Sequence, residues 1–251
     1  MLKPGRSPHA LILKKLRLRG ALSAADAAAI DALPTQTRTV ESGSYLVREG
    51  DPPKLCSLLL TGFAFRQKMT QDGARQILSL HIPGDLLDLP SLFLKVADHS
   101  VQTLVRCEVA YIPVPALQEL VLTHPGIART MWVDALVDGS IFREWELNLG
   151  RRDARARIAH ILCELASRME AAGLLDSKEK FELPITQEQL ADATGLTSVH
   201  VNRTLQALKA EGLIGRSGRS GRVVTIPDWD RLRSAADFNP RYLHLDQAVP
   251  A

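Results

Sequence analysis

Between Leu183 and Ser217 the chain reads LPITQEQLADATGLTSVHVNRTLQALKAEGLIGRS, and this pattern leaves little freedom in how the segment can fold. Thr186 is a helix N-cap residue, and Leu190 and Ala191 supply the apolar side of the short helix it opens. Ala191 is small enough for a second helix to cross closely, and Gly195 provides the left-handed turn residue between the two. The second helix starts at Thr197 or Ser198. Val201, Leu205 and Leu208 recur on one side of it, which leaves Ser198, His200, Asn202, Arg203 and Gln206 on the other. The spacing predicts a helix-turn-helix with a polar outer face.

A helix of this kind fits the major groove of duplex DNA, where Arg can bond two acceptors of guanine and Asn or Gln can pair with adenine. Arg203 is the first candidate for base reading; Thr186, Gln187, Thr197, Ser198, His200, Asn202 and Gln206 complete the candidate surface. After Gly212 the segment LIGRSGRSGRVVTIPD has the form of a wing: a short apolar lead, an Arg/Gly/Ser loop, and an alternating strand, Val223 to Ile226, stopped by Pro227. Arg216, Arg219 and Arg222 are its candidate phosphate contacts. From His200 to Arg222 the cations Arg203, Lys209, Arg216, Arg219 and Arg222 face a single acid, Glu211. The net charge of the whole chain is only +3, so positive charge is concentrated where a phosphate backbone would lie.

The rest of the chain reads as an α+β protein. Its 251 residues suffice for two domains, and 45% hydrophobic with 24% charged residues is ordinary for a globular protein. No apolar run approaches the roughly 20 residues of a bilayer span, and the basic start MLKPGRSPHALILKKLRLRG is too interrupted for a secretory signal, so a cytoplasmic protein without membrane contact is expected. Cys56, Cys107 and Cys163 are scattered, without a C-x-x-C pair, and read as small buried hydrophobes rather than disulfide, zinc or cluster ligands. No metal or cofactor is expected.

Residues 1 to 33 read as helical, with Ser23 and Asp26 as a capping box. From about 35 to 114, seven β-type runs (TRTV, SYLV, CSLLL, FAFRQKM, QILSLHI, VQTLV, EVAYIPV) alternate with turns at Gly43, Gly50, Gly62, Gly73 and Gly84, which predicts an antiparallel double-sheet roll. Asp72-Gly73 is its best hairpin signal. Helical character returns from Pro115 to Gly150, where Trp132, Ala135, Leu136, Gly139, Phe142, Trp145 and Leu149 form an apolar stripe. Such a stripe calls for a partner, and a second copy about a two-fold axis suits two-fold DNA sites; the alternative is packing on the chain's own roll. Arg151 and Arg152 then begin the last domain, with a helix from Ala154 to Ala172 and a short strand from Phe181 to Leu183. The expected domains are 1–114 (helix and roll), 115–150 (dimerisation helix) and 151–251 (winged helix-turn-helix with a C-terminal extension).

Taken in order, SGSYLVREGD and TGF in a roll, PGDLL, a long helix and ITQEQLADATGLTSVHVNRTL resemble the Crp/Fnr family of bacterial transcription regulators over nearly the whole chain. The resemblance implies a jelly-roll like that of cyclic-nucleotide-binding domains, a dimerisation helix, and homodimers that bind and bend palindromic DNA and contact RNA polymerase. Where the family's recognition helix carries a Glu this chain has Val199, so the family's usual half-site is not implied. Gly84, Asp85 and Leu86 of PGDLL match the effector cassette, but the later stretch KVADHSVQTL lacks the arginine that would hold a cyclic phosphate. A cyclic-AMP response is therefore not expected, the oxygen-sensing cysteines have no counterparts near the N-terminus, and haem ligation by His81 or His99 is disfavoured. The effector stays unnamed.

Two rival functions differ in class. One is a small-molecule-binding module whose winged helix makes protein contacts. The other, an enzyme, has no support from G-x-S-x-G, H-E-x-x-H, P-loop or Rossmann patterns.

Overall fold

The computed structural model describes residues 7–175, 178–218 and 222–245, with the side chains of residues 90 and 91 outside that description. Two short helices open it, α1 (Pro8–Arg17) and α2 (Ala24–Asp31). The cap of α2 is reciprocal: the Asp26 N–H donates to the Ser23 hydroxyl, and the Ser23 N–H donates to the Asp26 carboxylate.

Seven strands follow, one on each alternating run: β1 (Gln36–Val40), β2 (Tyr45–Val47), β3 (Leu55–Thr61), β4 (Ala64–Met69), β5 (Arg75–His81), β6 (Ser100–Thr103) and β7 (Cys107–Pro113). They form two sheets, ordered β1-β7-β3 and β2-β6-β4-β5, the double-sheet roll the sequence predicts. Gly62 shows why a glycine marks one of the turns: its φ is +85°, and a Cβ there would come within 2.6 Å of Cys107 Sγ. The Asp72-Gly73 turn is longer than a two-residue hairpin. The Thr70 N–H donates to the Ala74 carbonyl at 2.9 Å, so Gln71, Asp72 and Gly73 form the loop, closed by Gly73 at φ +88°.

The predicted helical stretch after the roll is two helices, α3 (Val114–Thr123) and α4 (Pro125–Arg151). The break falls at His124, whose backbone leaves the helical region (φ −126°, ψ 88°) because the ring of Pro125 crowds the residue before it. One core gathers Leu11, Ile12 and Leu16 of α1, Leu58 of β3, Ile112 of β7 and Ile127 and Met131 of α4.

The C-terminal part runs α5 (Ala154–Ala171), β8 (Lys180–Glu182), α6 (Gln187–Thr194), α7 (Ser198–Ala210), β9 (Gly215–Ser217), β10 (Val223–Thr225) and α8 (Trp229–Ala235), with the small sheet ordered β8-β10-β9. A buried polar group ties α5 to the C-terminal extension. Glu164 accepts from Trp145 Nε1 at 3.0 Å, from the Tyr242 hydroxyl at 2.8 Å and from Arg168 Nη1 at 3.2 Å. With the tyrosine proton directed at Glu164, His160 Nε2, 3.0 Å from the same hydroxyl, carries the hydrogen of that contact. No local pattern marks this network, whose members lie up to 97 positions apart between Trp145 and Tyr242.

By packing, the chain divides into two units: one from the chain up to Lys68 with Leu80–Gly139 and the residues from His244, the other from Met69–Ser79 with Ser140–Leu243. The division passes through α4 after Gly139, upstream of the Arg151 boundary expected from sequence. Among the described residues no helix is long and apolar enough to cross a membrane.

Candidate nucleic-acid interface

Helix α6 begins on a capping box. Thr186 accepts from the Gln189 N–H at 3.1 Å, and the Gln189 side chain returns to the Thr186 N–H at 2.9 Å. Gly195 ends it in the left-handed region at φ +64°, and Arg157 Nη1 donates to the freed Thr194 carbonyl at 2.9 Å. Thr197 then caps α7, accepting from the His200 N–H at 3.2 Å. Both threonine hydroxyls act as acceptors in these caps, so each keeps its O–H to donate to a phosphate.

Val201, Leu205 and Leu208 of α7 are buried, as are Leu190 and Ala191 of α6. This fixes the opposite side of α7 outward: Ser198, Asn202, Arg203 and Gln206 are exposed and His200 is half-buried. No hydrogen bond or ion pair holds the Arg203 guanidinium among the described residues. Gln187 of α6 reaches across to α7, its Nε2 donating to Asn202 Oδ1 at 3.1 Å. Two residues that sequence proposed separately as DNA contacts are therefore coupled.

In the wing, Arg216 lies on β9 opposite Val224 and is half-buried, and Arg222 is exposed at the edge of β10. Burial lowers the Arg216 pKa from its ordinary value, and its Nε has no hydrogen-bond partner among the described residues. A partly desolvated guanidinium without a counter-charge is poised for an anion. Arg219 falls outside the described residues. Of the other cations nearby, Arg155 is spent on Glu211, while Lys209 stays exposed.

The apolar stripe of α4 does not stay on one face, which corrects the sequence reading. Trp132 and Leu136 are 68% and 54% exposed, but Trp145 is 4% exposed and bonded to Glu164. Ala135, Gly139, Phe142 and Leu149 are half-buried, and Leu149 Cδ2 comes within 3.4 Å of where a Cβ on Gly195 would stand. Leu136 and Trp145 are nine residues apart, and at about 100° per residue that is about two and a half turns, placing them on opposite sides. The outward stripe continues instead through Arg143, Leu147 and Gly150, all exposed.

The PGDLL segment is committed to the fold. Asp85 is buried, its Oδ1 2.7 Å from Lys15 Nζ and its Oδ2 accepting from the Ile82 N–H at 3.0 Å. Gly84 takes φ +99°, and Leu86 lies in the hydrophobic core. Burial alone would push the Lys15 ammonium down, yet Asp134 and Asp85 together hold its pKa above the ordinary lysine value. Arg19 Nε meets Asp134 at 2.7 Å, and Arg66 Nη1 meets Asp138 at 2.9 Å. His81, 3.7 Å from Asp85, has its pKa lowered by burial, and His99 Nδ1 sits 2.7 Å from Asp98. Burial also raises the thiols of Cys56 and Cys163 to about 12 and Cys107 to about 11, the behaviour of small packing residues.

Val199, noted in the sequence only for standing where the family carries a Glu, was not counted among the candidate DNA contacts. It is 81% exposed on the first turn of α7, in helical register with Arg203.

Comparison with known proteins places both halves. Residues 156–235 match the model of the Crp-like helix-turn-helix domain, and residues 37–124 that of the cyclic nucleotide-binding domain. The chain is 32% identical over 202 residues to the transcriptional activator protein FnrL of Cereibacter sphaeroides, covering 79% of each. It is 28% identical to a probable transcriptional activator of Rhizobium leguminosarum bv. viciae, over 78% of this chain and 79% of the relative. The structure of FixK2 from Bradyrhizobium japonicum superimposes with a TM-score of 0.70 at 23% identity, covering 81% of this chain and 98% of that one, a likeness of fold. With a roll and a winged helix in this order, and a relative above 30% identity along most of its length, the chain belongs to the Crp/Fnr family of transcription regulators.

Proposed function

We propose that the protein regulates transcription as a homodimer that places two copies of α7 in successive major grooves of a palindromic operator. The observation that carries this reading is Arg203, exposed and without an ion pair among the described residues, on a helix whose opposite side is locked into the core. Arg203 reads guanine. Thr186, Gln187, Thr197, Ser198, His200, Asn202 and Gln206 line the rest of the contact, and Arg216 and Arg222, with Arg219, hold phosphates. The dimer forms along the outward stripe of α4, anchored by Trp132 and Leu136 and continued by Leu147, with Ala135 and Gly139 beside it. It works in the cytoplasm, where it meets DNA and, at the promoter, RNA polymerase.

We do not assign a cyclic-AMP response to the roll. The buried Arg66 is matched by Asp138, Asp85 by Lys15, and Lys95 to Leu104 contains no arginine. That stretch therefore offers a cyclic phosphate no guanidinium to pair with.

The test is the salt dependence of full-length protein on an operator selected from random duplexes. A regulator of this kind loses affinity steeply as salt rises, with a slope near −0.9 per phosphate contacted. Weak, salt-insensitive binding would favour the rival reading of a small-molecule module that uses its winged helix on proteins.

A further inference from the structure

We infer that Val199 reads bases too, selecting thymine through its C5-methyl group beside the guanine that Arg203 recognises. The inference rests on α7 being the groove-reading helix. Val199 is 81% exposed, more than any other large hydrophobic side chain of the described residues. It stands at the second position of α7, and the residues three, four and seven places on, Asn202, Arg203 and Gln206, are all exposed. Those positions share one side of a helix, so an apolar group heads a stripe otherwise built for hydrogen bonding.

Inside the fold Val199 has no evident use. Packing is done by Val201, Leu205 and Leu208, and a β-branched residue at an exposed helical site is a modest helix former that keeps its methyls in water. The major groove offers such a side chain one apolar feature, the thymine methyl. Cytosine presents an N4 donor that requires an acceptor, and valine has none. Four residues of helix rise about 6 Å and a base step about 3.4 Å, so the thymine lies within two base pairs of the guanine.

The experiment uses the full-length protein and the operator it selects from random duplexes. Selection with Arg203→Ala identifies the guanine as the base whose preference is lost. Each thymine within two base pairs of it is then replaced by deoxyuridine, which lacks only the methyl. At one position the native protein should bind about fourfold more weakly per substituted half-site, the equivalent of about 0.8 kcal/mol for one buried methyl. Val199→Ala should bind the two duplexes alike while keeping its guanine preference. Equal binding of thymine and uracil by the native protein at every such position, full discrimination by the Ala variant, or no thymine in that interval would each overturn the inference. If instead Arg203→Ala leaves specific affinity unchanged, it is the groove-reading assignment of α7 that fails.

Discussion

In the N-terminal unit Lys15, Arg19 and Arg66 each end on a carboxylate inside the protein, whereas in α7 Arg203 and Lys209 are exposed and form no ion pair among the described residues. The contrast separates two uses of one charge. A buried cation is tolerable only when matched, and the matching fixes how α1, α4 and the roll fit together. A cation held out on a rigid helix contributes little to folding and remains free for a phosphate or a base.

The strongest way to break the comparison is Asp134→Ala, which removes the carboxylate that Arg19 Nε meets at 2.7 Å and that Lys15 Nζ faces at 3.6 Å. Thermal or denaturant unfolding should show a loss of about 3 to 5 kcal/mol. A loss below 1 kcal/mol would mean the pair is ornamental.

A second test asks whether the C-terminal unit also has buried groups whose charge state matters. Burial lowers the His160 pKa from 6.5 to about 4. Between those values the unfolded chain takes up a proton that folded His160 refuses, so stability should fall as pH drops through that window, by roughly 3 kcal/mol in all. Burial raises the Glu164 carboxyl, which acts with the opposite sign: its contribution is present below the ordinary 4.5 and lost as pH rises through the folded value. His160→Gln isolates the first effect: the difference in slope between the native and variant pH profiles should vanish above pH 6.5, leaving a constant offset.

Arg203→Ala should invert the Asp134 result, leaving unfolding unchanged while operator affinity falls by about 1 to 3 kcal/mol per half-site. Unaltered affinity in a binding titration would remove Arg203 from the interface. The smallest effect belongs to Thr197→Ala. Loss of the α7 cap should cost about 1 kcal/mol of stability, seen as a lower denaturation midpoint, and a larger drop in DNA affinity than in stability would show that its hydroxyl also serves a phosphate.

The roll was legible because alternation and turn glycines are local signals, and all seven strands lie on the runs that suggested them. The helix-turn-helix was legible for the same reason: Thr186, Gly195 and the spacing of Val201, Leu205 and Leu208 each act within a few residues. What escaped depended on rotation or distance. The α4 stripe was read as one face although steps of three residues carried it around to the other side by Trp145. The Glu164 network joins positions with no sequence relation, and Val199 read as a missing Glu rather than as a contact until its exposure was known.

The Gln187 bond to Asn202 has an evolutionary corollary. In the proposed complex, the Gln187 bond occupies one lone pair of the Asn202 oxygen and biases its carboxamide to present N–H donors to the bases, favouring acceptor edges such as those of guanine or thymine O4 over the donor–acceptor pair of adenine. Replacing Gln187 would release the amide to rotate and admit adenine. On that reading the recognised motif drifts through a change on α6 alone, so diversification of target genes need not begin on the helix proposed to touch the bases.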